Sequence, residues 1–276
     1  MTSLSVLIMA GNEESMLPGC IATLGLADEV VVLVDDRSVD RTAEVARSAG
    51  VRVYVEPWHG FAAQRDRLAE LAAGEWLLYV DADERITPRL AREIRSVIDA
   101  DPSVGAYRID TLNVFLGRPL RRGGWWPDSH LRLIRRSALA HWVGALHEVP
   151  QVAGDVRPLR QPIVHLGHRS LASMLAKTAS WGPIEAERRR ASSRPVSARS
   201  LLAAALKDLR WRLVRCQGWR DGTEGWIEML YQSFSSFLSV AFLWESQRSE
   251  ALQETYRRLD EHLQNGGSVE EFHEQP

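Results

Sequence analysis

The run Trp76-Leu77-Leu78-Tyr79-Val80-Asp81-Ala82-Asp83-Glu84 passes from unbroken apolar and aromatic side chains straight into acids. Five consecutive apolar or aromatic positions predict a strand buried on both faces. Residues two apart in an extended chain point the same way, so Asp81 and Asp83 converge just beyond the strand's carboxyl end. Open α/β sheets keep their ligands there. Paired carboxylates at such a place suit a divalent cation such as Mg²⁺, shared with substrate phosphates. The plainer alternative is that Asp81 ends the strand, while Asp83 and Glu84 make a turn and helix start ahead of Pro88.

Upstream of this run the pattern repeats as short apolar strand, amphipathic helix, strand. Leu4–Met9, Val30–Val34 and Val51–Val55 read as strands, and residues near 15–24, 40–49 and 61–73 as helices. Alternation of this kind predicts a parallel sheet with helices on both faces. The carboxyl edge of that sheet collects Asn12, Glu13 and Glu14, then Asp35, Asp36, Arg37, Ser38 and Asp40, then Asp81 and Asp83. Asn12 and Glu13 fit helix capping as well as ligand binding. Asp35 and Asp36 at the end of a buried strand need a partner, which a base or ribose would supply. Neither a Gly-x-Gly-x-x-Gly fingerprint nor a Walker loop follows the first strand, so any phosphates fall to a metal rather than to backbone amides. Gln64 and Arg65 sit on the first turns of the third helix, facing either that edge or solvent.

Downstream, after a helix over about 88–99, the texture changes. Ala106–Thr111, Asn113–Leu116 and His130–Ile134 read as strands added in mixed or antiparallel fashion. The loop Arg121-Arg122-Gly123-Gly124-Trp125-Trp126-Pro127-Asp128 is rich in indoles and guanidinium groups. It reads as an acceptor platform for sugar rings, or as tryptophans capping the core. Arg132 or Arg135 could hold a phosphate bidentately, surface charge being the alternative. Glu148 follows a short apolar segment as a site carboxylate would, with Asp128 as its rival. His165 and His168 lack partner ligands for zinc.

The 276 residues, 45% hydrophobic and 25% charged, have ordinary globular composition. A net charge of −2 gives no global pull toward nucleic acid or an anionic surface. Cys20 and Cys216 lie far apart and outside any metal-ligand spacing, which predicts buried thiols in a reducing, cytoplasmic setting. Leu4–Ala10 lacks the basic lead-in and cleavage site of a signal sequence, and no apolar run approaches the roughly 20 residues needed to span a bilayer.

Together Val6-Leu-Ile-Met-Ala10-Gly-Asn12-Glu13, Val34-Asp35-Asp36-Arg-Ser38-Val-Asp40-Arg-Thr42, Gly60-Phe-Ala-Ala-Gln64-Arg65, Leu78-Tyr-Val-Asp81-Ala-Asp83-Glu84 and His147-Glu148 resemble family 2 glycosyltransferases of the GT-A fold. The chain looks most like the branch containing lipopolysaccharide inner-core β-glucosyltransferases. The resemblance covers residues 4–170 and implies inverting transfer from a nucleotide-diphosphate sugar, a UDP-hexose above all, with Mg²⁺ or Mn²⁺. It implies a GT-A domain over residues 1–170, with a nucleotide-sugar half to about 100 and an acceptor half from 101. Ala10, Asn12, Glu13, Asp35, Asp36, Gln64, Arg65, Asp81 and Asp83 would meet the donor, Asp81 and Asp83 the metal. Trp125, Trp126, Asp128 and Arg132 would meet the acceptor, and Glu148 best matches the family's catalytic acid. Gly11, Arg37 and Asp66 depart from the family's usual residues.

Residues 171–265 read as a helical extension and 266–276 as a frayed end. Ten Arg and Lys residues lie between Glu185 and Asp221, over Leu202, Leu206, Leu209 and Leu213 at helical spacing. Ile227, Leu230, Phe234, Phe237 and Ala241 share a face opposite Glu228, Gln232, Ser235 and Ser239. Residues 188–245 therefore suit a peripheral contact with the inner face of the cytoplasmic membrane, reaching a lipid-linked saccharide. The alternative is helices packed on the domain or forming a homodimer. Transfer to a polyprenyl phosphate, and a non-catalytic nucleotide-sugar-binding protein, are the competing functional readings.

Overall fold

The computed structural model describes residues 2–100, 103–144, 148–190, 194–248, 251–269 and 272. The chain divides into two compact units, Met1–Leu171 with Cys216–Glu228, and Ala172–Arg215 with Met229–Pro276.

The first unit is built on strands β1 (Leu4–Ala10), β2 (Glu29–Asp35), β3 (Arg52–Glu56) and β4 (Trp76–Asp81), with helices α1 (Leu17–Ile21), α2 (Thr42–Ser48) and α3 (Phe61–Leu71) between them. Then follow β5 (Glu84–Arg85), α4 (Pro88–Ile98), β6 (Val104–Phe115), β7 (Arg118–Pro119), β8 (Ser129–Arg135), β9 (Leu139–Val143), β10 (Val149–Val152), β11 (Asp155–Pro158) and β12 (Ile163–His165). The main sheet runs β3-β2-β1-β4-β8-β6-β12-β5, and β9 pairs with β10 apart from it. The first four strands are parallel, and β8 lies antiparallel between β4 and β6. This is the mixed sheet flanked by helices expected of a GT-A fold.

Every residue from Trp76 to Val80 is 0% exposed. Trp76, Leu78 and Val80 enter the core shared with α1 and α4, whereas Leu77 and Tyr79 enter the one shared with α3. Period-two alternation thus feeds two apolar layers, and burial of each aliphatic side chain contributes roughly 1.5–3 kcal/mol. Thr87 caps α4 by accepting a hydrogen bond from the Leu90 amide at 3.2 Å, with Pro88 in the first turn.

Two expected strands, 106–111 and 113–116, are one continuous β6, because Thr111 and Asn113 are buried sheet residues rather than turn residues. The parallel β12 lies along this part of β6 and the short β5 lies beyond it.

In the second unit, residues 172–190 belong to α5 (Leu171–Arg190), followed by α6 (Ala198–Arg210), the part of α7 (Gly222–Ser246) from Met229 onward, and α8 (Leu252–Gln264). Tyr231 donates to the Met174 carbonyl at 2.9 Å, and the Phe242 ring lies against Gly182 so closely that a Cβ there would meet it at 2.3 Å. Leu202 and Leu206 are each 64% exposed. Glu228, expected on a polar face of the tail, is instead buried within the first unit. No helix among the described residues is long and apolar enough to cross a membrane. Residues 270–271 and 273–276, within the end expected to fray, lie outside the described residues.

Candidate active site

The carboxyl ends of β1, β2 and β4 share one edge, as their parallel register requires. Ala10 ends β1, buried opposite Val34. Asn12 follows with a left-handed φ of 58°, and its Oδ1 accepts from the Val39 amide at 2.9 Å. Asn12 therefore ties the β1 and β2 loops together. The Glu13 amide donates to Thr42 Oγ1 at 2.7 Å, while its carboxylate Oε2 is buried without a hydrogen-bond partner. Burial, reinforced by the negative charge of Asp83, pushes the Glu13 carboxyl up to about 6. Asp35 is bonded by the Arg37 guanidinium at 2.6 Å, which holds its carboxyl below the usual range. Asp36 is exposed beside it.

Asp81 sits among guanidinium groups. Arg65 reaches Oδ1 at 3.3 Å and Arg132 reaches Oδ2 at 3.2 Å. Burial works to raise the Asp81 pKa, but Arg132 and Arg65 outweigh it and hold the carboxyl well below the carboxylate range. Each arginine also holds a second acid: Arg65 meets Glu148 at 2.6 Å, and Arg132 meets Glu84 at 2.8 Å. Glu84 in turn accepts the Asp81 amide at 2.8 Å, and burial pushes its carboxyl up to about 7. Arg65 lies over the Trp142 ring at 4.9 Å, an apolar floor for its planar cation. Sequence reasoning placed Arg132 toward an acceptor; it lies inside the carboxylate cluster, only 9% exposed. Arg65, Asp81, His130, Arg132, Trp142 and Glu148 are among the residues lining a cavity of about 330 Å³.

Asp83 faces a histidine. His165 Nε2 lies 3.1 Å from Asp83 Oδ2, and His165 Nδ1 lies 2.6 Å from Asn113 Oδ1. The local fold dictates this meeting, since β12 sets His165 beside Asn113 on one side and Glu84 on the other. The Leu166 amide also donates to the Asp83 carbonyl at 2.8 Å. Burial opposes the charge on His165, yet the Asp83 carboxylate raises its pKa, and the pair lowers that of Asp83. Asn113 Nδ2 donates to Asp128 Oδ2 at 3.1 Å, and His130 bonds Asp128 Oδ1 at 2.8 Å. A hydrogen-bonded chain therefore runs from Asp83 through His165 and Asn113 to Asp128 and His130.

Among the described residues no group of three or more His, Cys, Asp and Glu could hold a metal by itself. The pair of a carboxylate and an imidazole nitrogen fits a divalent cation that accepts mixed oxygen and nitrogen ligands and takes the rest from phosphates and water. His165, which carried no signal beyond an unconvincing His-x-x-His, is the residue that sequence reasoning missed. His168 diverges from it, its ring 5.7 Å from Phe115 and 5.5 Å from Trp125.

Other candidates stand apart from these groups. Gln64 is buried and donates to the Pro57 carbonyl at 2.7 Å, bracing the loop before α3. Arg135 lies opposite Trp76, at the far end of β4 from Asp81, and pairs with Glu75 at 2.8 Å, which removes it as a phosphate ligand. Trp125 and Trp126 are half-buried, the latter beneath the Arg121 guanidinium at 5.5 Å. His147 lies outside the described residues.

A family model described as glycosyl transferase family 2 matches residues 5–144. The lipopolysaccharide core biosynthesis glycosyltransferase LpsC of Rhizobium meliloti is 27% identical over 255 residues, covering 88% of this chain and 92% of that protein. Among solved structures, glucosyl-3-phosphoglycerate synthase of Mycobacterium tuberculosis, crystallised with Mn²⁺, uridine diphosphate and phosphoglyceric acid, aligns at 17% identity. It has a TM-score of 0.45 and covers 63% of this chain and 74% of its own. TarS of S. aureus with UDP-GlcNAc aligns at 15% identity and a TM-score of 0.45 over 97% of this chain and 93% of its own.

Proposed function

Because the chain belongs to glycosyl transferase family 2 and is a glycosyltransferase, we propose that it is an inverting hexosyltransferase using a nucleotide-diphosphate sugar, a UDP-hexose by resemblance. The acceptor in this reading is a hydroxyl of a lipid-linked saccharide such as lipopolysaccharide core, the process in which the Rhizobium relative is named. The observation that carries it is the convergence of Asp83 and His165 beside the Asp81 cluster, at the sheet edge where Glu13 and Asp35 also lie.

The acceptor oxygen attacks the anomeric carbon as the bond to the diphosphate breaks; the electron pair leaves with the diphosphate and the hydroxyl proton passes to a carboxylate. A divalent cation, Mg²⁺ or Mn²⁺, held by Asp83 and His165, would supply charge stabilisation for the departing diphosphate. Asp81 contributes to the same pole while its two arginines fix its orientation. For the base, two acids remain. Glu148 is 11% exposed and held at 2.6 Å by an Arg65 side chain only 9% exposed, so protonating it would give up the shorter of the two ion contacts that brace Arg65 and leave that guanidinium to Asp81 alone. Asp128 is paired instead with half-exposed His130, so this acid lies on the solvent-open side of the site. This supports giving the base to Asp128 and a positioning role to Glu148, the reverse of the order that the resemblance favours.

Turnover of a panel of UDP-, GDP- and dTDP-sugars with Mn²⁺ tests the reading. At least one donor should be hydrolysed or transferred, and Asp83→Ala should weaken its binding; a panel with neither turnover nor binding sinks the proposal. Asp128→Asn should cost about 10²–10⁴ in kcat measured at saturating donor and Mn²⁺, as loss of a general base does. If Glu148→Gln shows that loss and Asp128→Asn does not, the base is Glu148.

The exposed Leu202, Leu206 and Val214, lying among Lys207, Arg210 and Arg215, support a peripheral site of action on the cytoplasmic leaflet.

A further inference from the structure

Building on the reading that Asp83 and His165 hold the cation, we infer that Asn113 is a positioning residue that decides which nitrogen His165 presents to Asp83, and that Asn113 takes its own orientation from Asp128.

The inference follows from donor and acceptor valence along the chain of contacts. Asn113 is 4% exposed and faces Asp128 at 3.1 Å and His165 at 2.6 Å. An ionised carboxylate only accepts hydrogen bonds, so the amide must turn its NH₂ to Asp128. Its carbonyl oxygen is then committed to His165, and an amide oxygen only accepts. His165 must therefore carry a proton on Nδ1. The charged ring donates to both acceptors; the neutral ring keeps the shorter bond, to Asn113 at 2.6 Å, and leaves the lone pair on Nε2, the nitrogen 3.1 Å from Asp83 Oδ2 and the one a cation needs.

Without Asn113 the opposite tautomer wins locally, because an Nε2–H would donate directly to the Asp83 carboxylate. That tautomer ties up both cation ligands in one hydrogen bond. The buried amide works against this, and it couples the acid on the acceptor side to the cation on the donor side. Sheet register makes the coupling rigid, since Asn113 and His165 are direct neighbours across β6 and β12.

The test uses the full chain labelled with ¹⁵N-histidine, free of metal, at a pH where His165 is neutral, with the His165 signals assigned by their loss in His165→Gln. Wild type should show the Nδ1–H tautomer. Asn113→Ala should move the ring toward Nε2–H, and Mn²⁺ affinity in the presence of UDP, read by electron paramagnetic resonance, should fall about 10–100-fold, the usual cost of losing such an outer partner. Asp128→Asn keeps the local volume and removes the acceptor-only constraint, so it too should relax the tautomer preference; circular dichroism melts check that each variant is folded. An Nε2–H tautomer in wild type overturns the inference. So does a folded Asn113→Ala with unchanged tautomer and Mn²⁺ affinity within twofold of wild type. Wild type that binds no Mn²⁺ with UDP, GDP or dTDP overturns the cation reading itself, a failure separate from the tautomer result.

Discussion

At Glu13 burial and the charge of Asp83 raise the carboxyl pKa from its ordinary 4.5 to about 6. A carboxyl raised on folding stabilises the protein fully below its unfolded pKa, and that contribution is lost as pH rises through the folded value. The unliganded chain should thus lose stability between about pH 4.5 and 6 from this residue. Glu13→Gln should raise the thermal midpoint of the metal-free protein at pH 7.5 and leave it nearly unchanged near pH 4.5; an equal shift at both pH values would refute the assignment. The acids at residues 13, 35, 81 and 83 were legible as site candidates because acids at the ends of buried strands need partners. The identity of those partners was not. Arg65 lies 83 residues from Glu148, and His165 lies 82 from Asp83, so no local pattern links them.

Among the elements, β6 has a constraint at its start. A Cβ on Gly105 would fall 2.0 Å from the Ala153 carbonyl oxygen, a backbone atom that precedes β11. Gly105→Ala should therefore destabilise the fold by about 1–3 kcal/mol, as overpacking does, lowering the thermal midpoint by several degrees in calorimetry. A midpoint equal to wild type would mean that the Ala153 segment moves freely. The long elements β1, β2, β4, α3 and α4 follow from hydrophobic periodicity. The short β5 and β12, of two and three residues, are too brief to show any period, and long-range pairing alone defines them. Yet these are the strands that bring His165 to Asp83.

For the molecule as a whole, a net charge of −2 makes any attraction to an anionic surface a local affair. Trp211 and Val214 are 46% and 65% exposed, and with Leu202 and Leu206 they form the apolar part of such a patch. The protein should float with vesicles containing anionic phospholipid at low salt and far less with neutral phosphatidylcholine or at high salt. Leu206→Asp together with Trp211→Ser should abolish flotation without altering turnover of a soluble acceptor. Wild type that stays in the soluble fraction with anionic vesicles would favour packing or self-association of these helices.

The sequence by itself determined the α/β class, the run of parallel strands, the edge that gathers the candidate site residues and the family, because strand burial, periodicity and motif spacing are properties of short segments. Only the tertiary structure decided what Asp81 and Asp83 face. Two residues apart and alike in sequence, they are set by β8 and α3 against arginines in one case and by β12 against a histidine in the other, since the partners of a buried charge are chosen by which distant strands lie beside it.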